Sequence, residues 1–312
     1  AVDGVIISDL GVLRLLKKIA PNLPIHISTQ TNITNYESAL FYEDLGAKRL
    51  ILSRELTLKE LEEIRKRVSI ELEIFVHGAI CISYSGRCYL SSFLTYRSGN
   101  RGLCTHPCRW KYYLMEEKRE GEYFSVFEDD RGAYIMNSKD LCLIEYLPEL
   151  VNIGIDSFKI EGRMKGINYL AGVVHTYRKA LNSLKFKEKY ESNKYLEELL
   201  SFSSRGYTTG LLLGKQKIYD YNFFDKSSKM KTQIVGVVLR KISDNIAEIL
   251  IKANLKKGDE VYFLTPDYEE TPFIVSDMLR EGESIELARN DWVVEMKVPQ
   301  YVRELDIIRR KL

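Results

Sequence analysis

The sequence predicts an α/β protein: an incomplete, TIM-like parallel β/α barrel with a cysteine-rich insertion, followed by helices and a small C-terminal antiparallel β-barrel. Three observations predict this fold. Short β-rich apolar runs alternate with helical patterns over roughly the first 160 residues, as in parallel sheets covered by helices. This alternation stops in the insertion, at about 79–133. From about residue 229 onward, short strand patterns are separated by turn residues.

The first part of the chain contains the barrel elements. Strands are predicted at 5–8, 24–29, 49–53, 72–77 and 157–161, with a further strand-like run at 134–136. Helices are predicted at 11–20, 35–45, 57–68 and 140–152. The third helix begins with a capping-box pattern, Thr57 followed by Glu60, and has an amphipathic face.

The second part contains helices and an all-β segment. Residues 167–202 are predicted to form long, Lys/Glu-rich surface helices. Short strands are predicted at 233–241, 246–252, 260–265, 273–279 and 292–297. The expected division is a barrel domain at 1–222, which includes the insertion and the covering helices, and a β-barrel domain at 223–312. An RNA-contacting or docking role and a purely structural role are both open for the second domain.

The strand count is short of a closed barrel. An eight-stranded barrel needs three more parallel strands than the five predicted here. Either the sheet is open, or this chain lacks an N-terminal part. A second copy or another chain could then supply the missing strands.

Polar side chains follow the predicted strands, at the edge where α/β folds bind ligands. They occur at 8–9, 29–32, 53–55, 77–78 and 161–163. Gln30 and Asn32 are candidates for hydrogen bonds to a substrate, although such residues also serve as caps in β–α turns.

Composition and charge restrict the class of protein. The net charge of +2 gives no global field for nucleic acid, so any such argument must be local. No apolar run reaches the roughly 18 residues of a membrane span, and no secretory leader is visible. An odd cysteine count without an export signal argues against a disulfide framework. The expected location is therefore the cytoplasm.

Four of the five cysteines fall within 28 positions: Cys81, Cys88, Cys104 and Cys108. Clustered thiolates usually bind a metal or an iron–sulfur centre. The spacings match neither the tight ferredoxin repeat nor paired zinc knuckles. The pattern favours an iron–sulfur cluster, with structural zinc and buried free thiols as the alternatives.

The predicted ligands are Cys81, Cys88, Cys104 and a fourth thiolate. Cys142 is favoured as the fourth, because it follows the strand-like run at 134–136 and begins a predicted helix, whose dipole favours a thiolate. Cys108 is the alternative, since Pro107 gives it a rigid approach to Cys104.

The cysteine-rich segment is locally basic. No Asp or Glu occurs between Cys81 and Trp110. The segment contains Arg87, Arg97, Arg101 and Arg109, interleaved with Tyr84, Tyr89, Phe93, Tyr96 and Trp110. Such arginines could stabilise a dianionic [4Fe–4S]²⁺ tetrathiolate, or could bind phosphates while the aromatic rings stack on bases. A solvated basic loop is the plain alternative.

Four further residues are candidate catalytic groups. His77 ends a predicted strand close to Cys81, where it could act in acid–base chemistry or donate a hydrogen bond near a cluster. Lys159 and Glu161 alternate along their strand and should share one face, with Arg163 as an available partner. An internal salt-bridge network is the competing interpretation for these charges.

Several motifs resemble those of the family named peptidase U32. They are the runs at 73–81, 86–91, 137–142 and 158–163. The resemblance covers essentially the whole chain. It implies a barrel that normally begins about three strands earlier, so this chain looks like a truncated member.

The resemblance implies two kinds of activity. The family name and its older descriptions imply a protease, including collagenase. Other branches are RNA or quinone hydroxylation factors that carry a [4Fe–4S] cluster. The branch that this chain resembles most implies conversion of a wobble uridine of tRNA to 5-hydroxyuridine, with prephenate rather than O₂ as the hydroxyl source.

The residues favour redox chemistry over hydrolysis. The chain has no H-E-x-x-H zinc motif and no G-x-S-x-G nucleophile elbow. A cysteine nucleophile beside His77 or His106 is conceivable, but it would not explain its companion cysteines. The favoured hypothesis is hydroxylation of a tRNA base. A U32-type metal- or cysteine-dependent peptidase and a non-catalytic iron–sulfur scaffold are the alternatives.

Overall fold

The computed structural model describes residues 2–81, 83–110, 113–114, 118, 124–125, 139–202, 206–214, 231–265 and 271–312. Two compact units divide the chain: residues 1–164 with 205–227, and residues 165–204 with 228–312. The helices at 167–202 therefore group with the C-terminal strands, whereas the sequence placed them with the first domain. None of the helices in these ranges has the length and apolar character that crossing a lipid bilayer requires.

The first unit is built on a mixed seven-stranded sheet. Its strands are β1 (Val5–Ile7), β2 (Ile25–Ile27), β3 (Arg49–Ile51), β4 (Glu71–Ala79), β7 (Asp140–Cys142), β8 (Ser157–Glu161) and β9 (Tyr207–Thr208). A separate pair, β5 (Tyr113–Leu114) and β6 (Phe124–Ser125), lies in the cysteine-rich insertion. The five predicted strands correspond to β1–β4 and β8, and they pair with one another only in parallel orientation. The predicted run at 134–136 lies outside the described residues.

Strand β4 is the centre of this sheet. Residues 73–78 of β4 pair with β8 along one edge. On the other edge, residues 71–73 of β4 pair with β3, and residues 77–79 of β4 pair with β7. The sheet order begins at β1 and includes no pairing of β1 with β8 in the described residues. The parallel pairings of β1–β4 and β8 confirm a parallel α/β sheet. Closure of this sheet into a TIM-like barrel stays a prediction.

Helices follow the parallel strands as the alternation predicted. They are α1 (Leu10–Ile19), α2 (Tyr36–Asp44), α3 (Leu58–Arg65) and α5 (Leu147–Ile153). The capping box at the start of α3 is confirmed, because Thr57 Oγ1 accepts from the Glu60 backbone and the Glu60 carboxylate accepts from the Thr57 backbone. Leu61 and Ile64 of α3 are buried, as are Leu50 of β3 and Leu72 of β4.

The predicted helix at 140–152 is wrong at its start. Residues Asp140–Cys142 form β7, antiparallel to the end of β4, and α5 begins only at Leu147. Cys142 therefore lies in a strand, directly opposite His77, and does not begin a helix. The argument from a helix dipole does not apply to its thiol.

The second unit combines two helices with an antiparallel sheet. The helices are α6 (Ile167–Lys185) and α7 (Ser192–Phe202). The strands are β10 (Thr232–Ser243), β11 (Ile246–Ile251), β12 (Leu255–Lys256), β13 (Glu260–Leu264), β14 (Pro272–Ile274), β15 (Met278–Arg280), β16 (Glu283–Ile285), β17 (Leu287–Ala288), β18 (Val293–Lys297) and β19 (Ile307–Lys311). Eight of them form one sheet in the order β14-β13-β19-β10-β11-β18-β15-β16, and β12 pairs with β17. The predicted strand at 273–279 is two strands, β14 and β15. The antiparallel sheet is confirmed, and its closure into a barrel stays a prediction.

Candidate functional site

A cavity of about 190 Å³ lies where the strand ends of the first unit meet the cysteine-rich segment. Four thiols line it, those of Cys81, Cys88, Cys104 and Cys108. The strand ends contribute Gln30, Arg54, Glu161 and Arg163. The prediction that polar residues after different strands meet at one edge is confirmed for these four positions.

Three loops that follow strands hold the cysteine-rich segment in place. After β2, Gln30 Nε2 donates to the carbonyl oxygen of Asn100 at 2.9 Å. After β3, Glu55 Oε1 accepts from the backbone N–H of Ser85 at 2.8 Å. After β8, Arg163 donates to the carbonyls of Gly102 and Cys104. Gln30 and Arg163, which the sequence assigned to substrate or catalysis, thus fix the loops that carry the thiols.

Two glycines allow close backbone approaches at this site: Gly78 in β4 approaches β8, and Gly86 in the cysteine-rich segment approaches the turn after β2. Gly78 has φ of +102°, and a Cβ there would lie 1.9 Å from the carbonyl oxygen of Glu161. Gly86 has φ of +75°, and its Cβ would lie 2.1 Å from the carbonyl oxygen of Gln30. Both positions therefore require glycine for space as well as for backbone conformation.

Burial opposes ionisation of two of these thiols, those of Cys81 and Cys108. Burial raises the pKa of Cys108 to about 11, and the neighbouring Cys81 adds to this shift. Burial also raises the pKa of Cys81, although Arg54 opposes the rise. A backbone donor is already directed at one sulfur, since the N–H of His106 donates to Cys104 Sγ at 3.3 Å. A bound metal would offset the cost of deprotonating these thiols.

Two arginines bring buried cationic donors to the cavity. Arg109 Nη1 lies 2.6 Å from Asp140 Oδ1, and these side chains are only 6% and 1% exposed. Arg109 Nη2 and Arg54 Nε are buried and have no hydrogen-bond acceptor among the described residues. Buried donors normally have acceptors. An anionic group among the thiols would supply them, so these residues fit an iron–sulfur cluster.

The four thiols line the cavity, but they do not form a site for a single metal ion. Within the described ranges, no three Cys, His, Asp or Glu side chains are close enough together to hold one metal ion. A tetrahedral zinc site needs sulfurs about 3.8 Å apart, from Zn–S bonds of about 2.3 Å. A cluster accepts a wider set, because each thiolate binds a different iron.

His77 and Cys142 are placed away from the lining of this cavity. His77 is fully buried, and its ring packs edge-on against Tyr207 at 5.0 Å. Alternation along β4 would place His77 on one face with Phe75 and Ala79, which do line the cavity. The β4–β8 register shift between Phe75 and His77 interrupts that alternation, as a bulge does.

Lys159 also lies outside the cavity lining, in an ion-pair network within the sheet. Its Nζ donates to Glu73 Oε1 at 3.0 Å, and Glu73 Oε2 accepts from Arg49 and Ser157. Burial alone would raise the pKa of Glu73, but the hydrogen bond from Lys159 and its other partners hold that pKa below its ordinary value. Asn32 is likewise engaged within the fold, since its Oδ1 accepts from Ser53.

The four predicted phosphate-binding arginines separate into two groups. Arg109 is buried and ion-paired, as described above. Arg87, Arg97 and Arg101 are exposed. Sequence reasoning did not single out Arg54, Glu55, Glu73 or Asp140. Of these, Arg54 and Glu55 carried a signal, because they directly follow a strand.

Comparison with known proteins relates the whole chain to one family. Residues 1–221 match peptidase family U32, and residues 230–309 match the peptidase family U32 C-terminal domain. The chain is 35% identical to the tRNA hydroxylation protein P of Escherichia coli, over 96% of this chain and 75% of that protein.

Two further relatives carry different names. The Uncharacterized protease MJ0090 of Methanocaldococcus jannaschii is 39% identical, over 98% of this chain and 76% of that protein. The 23S rRNA 5-hydroxycytidine C2501 synthase of Escherichia coli is 36% identical, over 59% of this chain and 26% of that protein. Relatives of this chain are thus named for RNA hydroxylation and for proteolysis.

Proposed function

Because this chain belongs to peptidase family U32, and because thiols and cationic donors line one cavity, we propose that it hydroxylates a base of RNA. The finer proposal is conversion of a tRNA wobble uridine to 5-hydroxyuridine. Relatives named for hydroxylation of tRNA and of 23S rRNA support the reaction class. A [4Fe–4S] cluster bound here would supply the electron-transfer chemistry.

The arrangement of thiols and buried arginine donors carries this proposal. A [4Fe–4S]²⁺ core with four thiolates has a net charge of about −2. Arg109 Nη2 and Arg54 Nε, which have no acceptors among the described residues, would donate to its sulfurs. Such hydrogen bonds stabilise a cluster and tune its potential. The pair with Asp140 fixes the orientation of the Arg109 guanidinium.

The remaining lining residues have positioning and proton-transfer roles in this proposal. Glu161 places a carboxylate at the cavity, where it could accept the proton displaced from the base. Arg54 and Arg163 line the same space and suit the carboxylates of prephenate, the proposed hydroxyl source. Lys159 is better assigned to the Glu73 network.

Three cluster ligands are proposed without an alternative: Cys81, Cys88 and Cys104. The geometry favours Cys108 as the fourth, because it lines the cavity with them. Cys142, the ligand favoured from the sequence, lies buried in β7 and competes for this role. A matched pair of variants, Cys108→Ser and Cys142→Ser, decides between the two.

The first experiment is anaerobic purification followed by iron, sulfide and zinc analysis. Roughly four iron and four sulfide per chain, with a broad visible band, are expected for a cubane cluster. The variant of the true fourth ligand should lose iron and sulfide, and the other should retain both. Mass spectrometry of nucleosides from tRNA incubated with the loaded protein and prephenate then tests hydroxylation. One zinc without sulfide would refute the cluster.

Peptidase activity is the second candidate, supported by the family name and by the presence of His106 beside thiols in the cavity. Nucleophilic cysteines generally have lowered pKa values, whereas burial raises those of Cys81 and Cys108. Incubation with denatured collagen tests this candidate. Cleavage that Cys104→Ser abolishes would favour the peptidase over RNA hydroxylation. Cluster content without either activity would favour the scaffold.

A further inference from the structure

Helix α4 (Leu90–Thr95) reverses the usual arrangement of a surface helix. Its inner side is polar: Ser91 is 2% exposed, and its Oγ accepts from the Thr105 backbone N–H at 3.1 Å. Thr95 Oγ1 lies 3.1 Å from Thr105 Oγ1 and donates to the Ser91 carbonyl. Hydroxyl groups therefore hold this helix against Thr105.

The outer side of the same helix is aromatic. Tyr89, Phe93 and Tyr96 are 74%, 74% and 96% exposed. Tyr89 is the N-terminal capping residue of the helix, Phe93 lies within it, and Tyr96 is its C-terminal capping residue, with φ of +57°. We call these three residues the aromatic stripe. Three exposed aromatic side chains within eight residues are typical of an interaction site, because leaving them in water is unfavourable.

The charge around the aromatic stripe indicates its partner. Arg87, Arg97 and Arg101 are exposed close to it in sequence, and the segment from Cys81 to Trp110 contains no carboxylate side chain. Exposed rings interleaved with cations fit unpaired nucleotides, whose bases stack while their phosphates pair with arginines. A purely apolar protein partner would account for the rings but not for the charge.

The aromatic stripe lies next to the thiol cavity. Leu90 and Ser91 of α4 line that cavity, and Thr105, which anchors the helix, directly follows Cys104. A nucleotide stacked on the stripe would therefore be a neighbour of one inserted into the cavity.

We propose that the aromatic stripe is a stacking platform for unpaired bases of a single-stranded RNA loop. This inference rests on the proposed function in taking RNA as the substrate. It goes further by assigning Tyr89, Phe93 and Tyr96 to the nucleotides that flank the reacting base. Arg87, Arg97 and Arg101 bind the phosphates of the same loop.

The test is fluorescence anisotropy of labelled RNA with the full chain, purified without oxygen. The probes are a hairpin with a seven-nucleotide unpaired loop and a blunt duplex of equal length. Stacking on an aromatic ring changes affinity by roughly tenfold per base. Tyr96→Ala should therefore weaken hairpin binding by roughly tenfold, and the triple alanine variant of the stripe by more. Tyr96→Trp should retain binding.

The matched control is Phe41→Ala, which removes an aromatic ring that is 51% exposed on α2 of the same unit. It should bind the hairpin as tightly as the unsubstituted chain does. Circular dichroism of each variant checks that the fold is retained, and Tyr96→Trp tests the platform even if the triple variant fails to fold.

The outcomes separate the platform from the proposed function. Loop-specific binding that the stripe variants lose supports the platform, whether or not the preparation hydroxylates RNA. A chain that hydroxylates RNA while Tyr96→Ala binds the hairpin normally overturns the platform and leaves the proposed function intact. Equal binding of duplex and hairpin, or no RNA binding at all, also overturns the platform.

Discussion

The buried ion pair between Arg109 and Asp140 provides the sharpest test of how the cysteine-rich segment is held to the sheet. Its Nη1–Oδ1 distance is 2.6 Å, with side chains 6% and 1% exposed. At an effective dielectric constant of about 20, Coulomb's law gives an attraction of about 6 kcal/mol at this distance. Asp140→Asn preserves the shape and removes the counter-charge. Removing one partner of a buried pair costs about 3–5 kcal/mol, so we expect a loss of that size.

The matched control is an exposed pair of nearly the same length. Arg67, two residues past the end of α3, places its Nη1 2.7 Å from Oε2 of Glu63 in that helix, with side chains 40% and 43% exposed. Glu63→Gln should change stability by about 0.3–0.5 kcal/mol, since solvent screens helix-surface pairs. Burial, and not distance, then accounts for the difference between the two variants.

The assay is urea unfolding followed by fluorescence. The chain has two tryptophans, Trp110 in the first unit and Trp292 in the second. A Trp292→Phe background therefore makes Trp110, the neighbour of Arg109, the reporter of the first unit. The double variant Arg109→Met/Asp140→Leu should be more stable than Asp140→Asn, because it leaves no uncompensated buried charge.

The reasoning would be refuted if Asp140→Asn cost no more than Glu63→Gln. That result would mean that water reaches the Arg109 guanidinium, which would also remove the argument for a buried donor at the cavity. A double variant as unstable as Asp140→Asn would instead indicate that the side-chain shapes, and not the charges, hold the segment.

Two further predictions concern the backbone and pH. Gly78→Ala should destabilise the first unit by several kcal/mol, because positive φ and a clash with the Glu161 carbonyl act together. Gly214 has the same φ of +102°, but a Cβ there would meet no atom within 4 Å. In the same urea titration, Gly214→Ala should therefore lower the free energy of unfolding only through its unfavourable backbone conformation. Burial lowers the pKa of His175 to about 4, from an ordinary 6.5. The unfolded chain therefore binds a proton that the folded chain does not, and stability should fall by up to about 3 kcal/mol as pH drops from 6.5 to 4. His175→Leu should flatten this dependence, and an unchanged slope would contradict it.

The local sequence was enough to predict the parallel strands and the edge where their loops meet. Short runs of β-rich residues identify β1–β4 and β8. The apolar composition of β2–β4 fits their largely buried positions, whereas Ile6 of β1 is exposed and β8 is partly buried throughout. Gln30, Arg54, Glu161 and Arg163 follow such strands and do line one cavity. In this class of fold, the residues that follow parallel strands lie at the same edge of the sheet, so their positions in the sequence predict that they lie close together.

Elements formed by distant partners could not be predicted in this way. Strand β7 has only three residues and exists because the end of β4 pairs with it. Strand β19 contains Arg309 and Arg310 and resembles a polar tail, yet it is central between β13 and β10. Arg309 is tolerated there because its guanidinium lies over the Phe202 ring at 5.0 Å and near Glu198.

The sequence does not distinguish the arginines of the cysteine-rich segment from one another, whereas the structure does. The lack of acidic residues from Cys81 to Trp110 favours anion binding by the segment, but it does not distinguish one arginine from another. The structure separates them by exposure: Arg109 is buried beside the thiols, and Arg87, Arg97 and Arg101 are exposed near the aromatic stripe. One basic segment can therefore serve two anions, since a buried guanidinium suits a compact cluster and exposed ones suit a solvated RNA backbone.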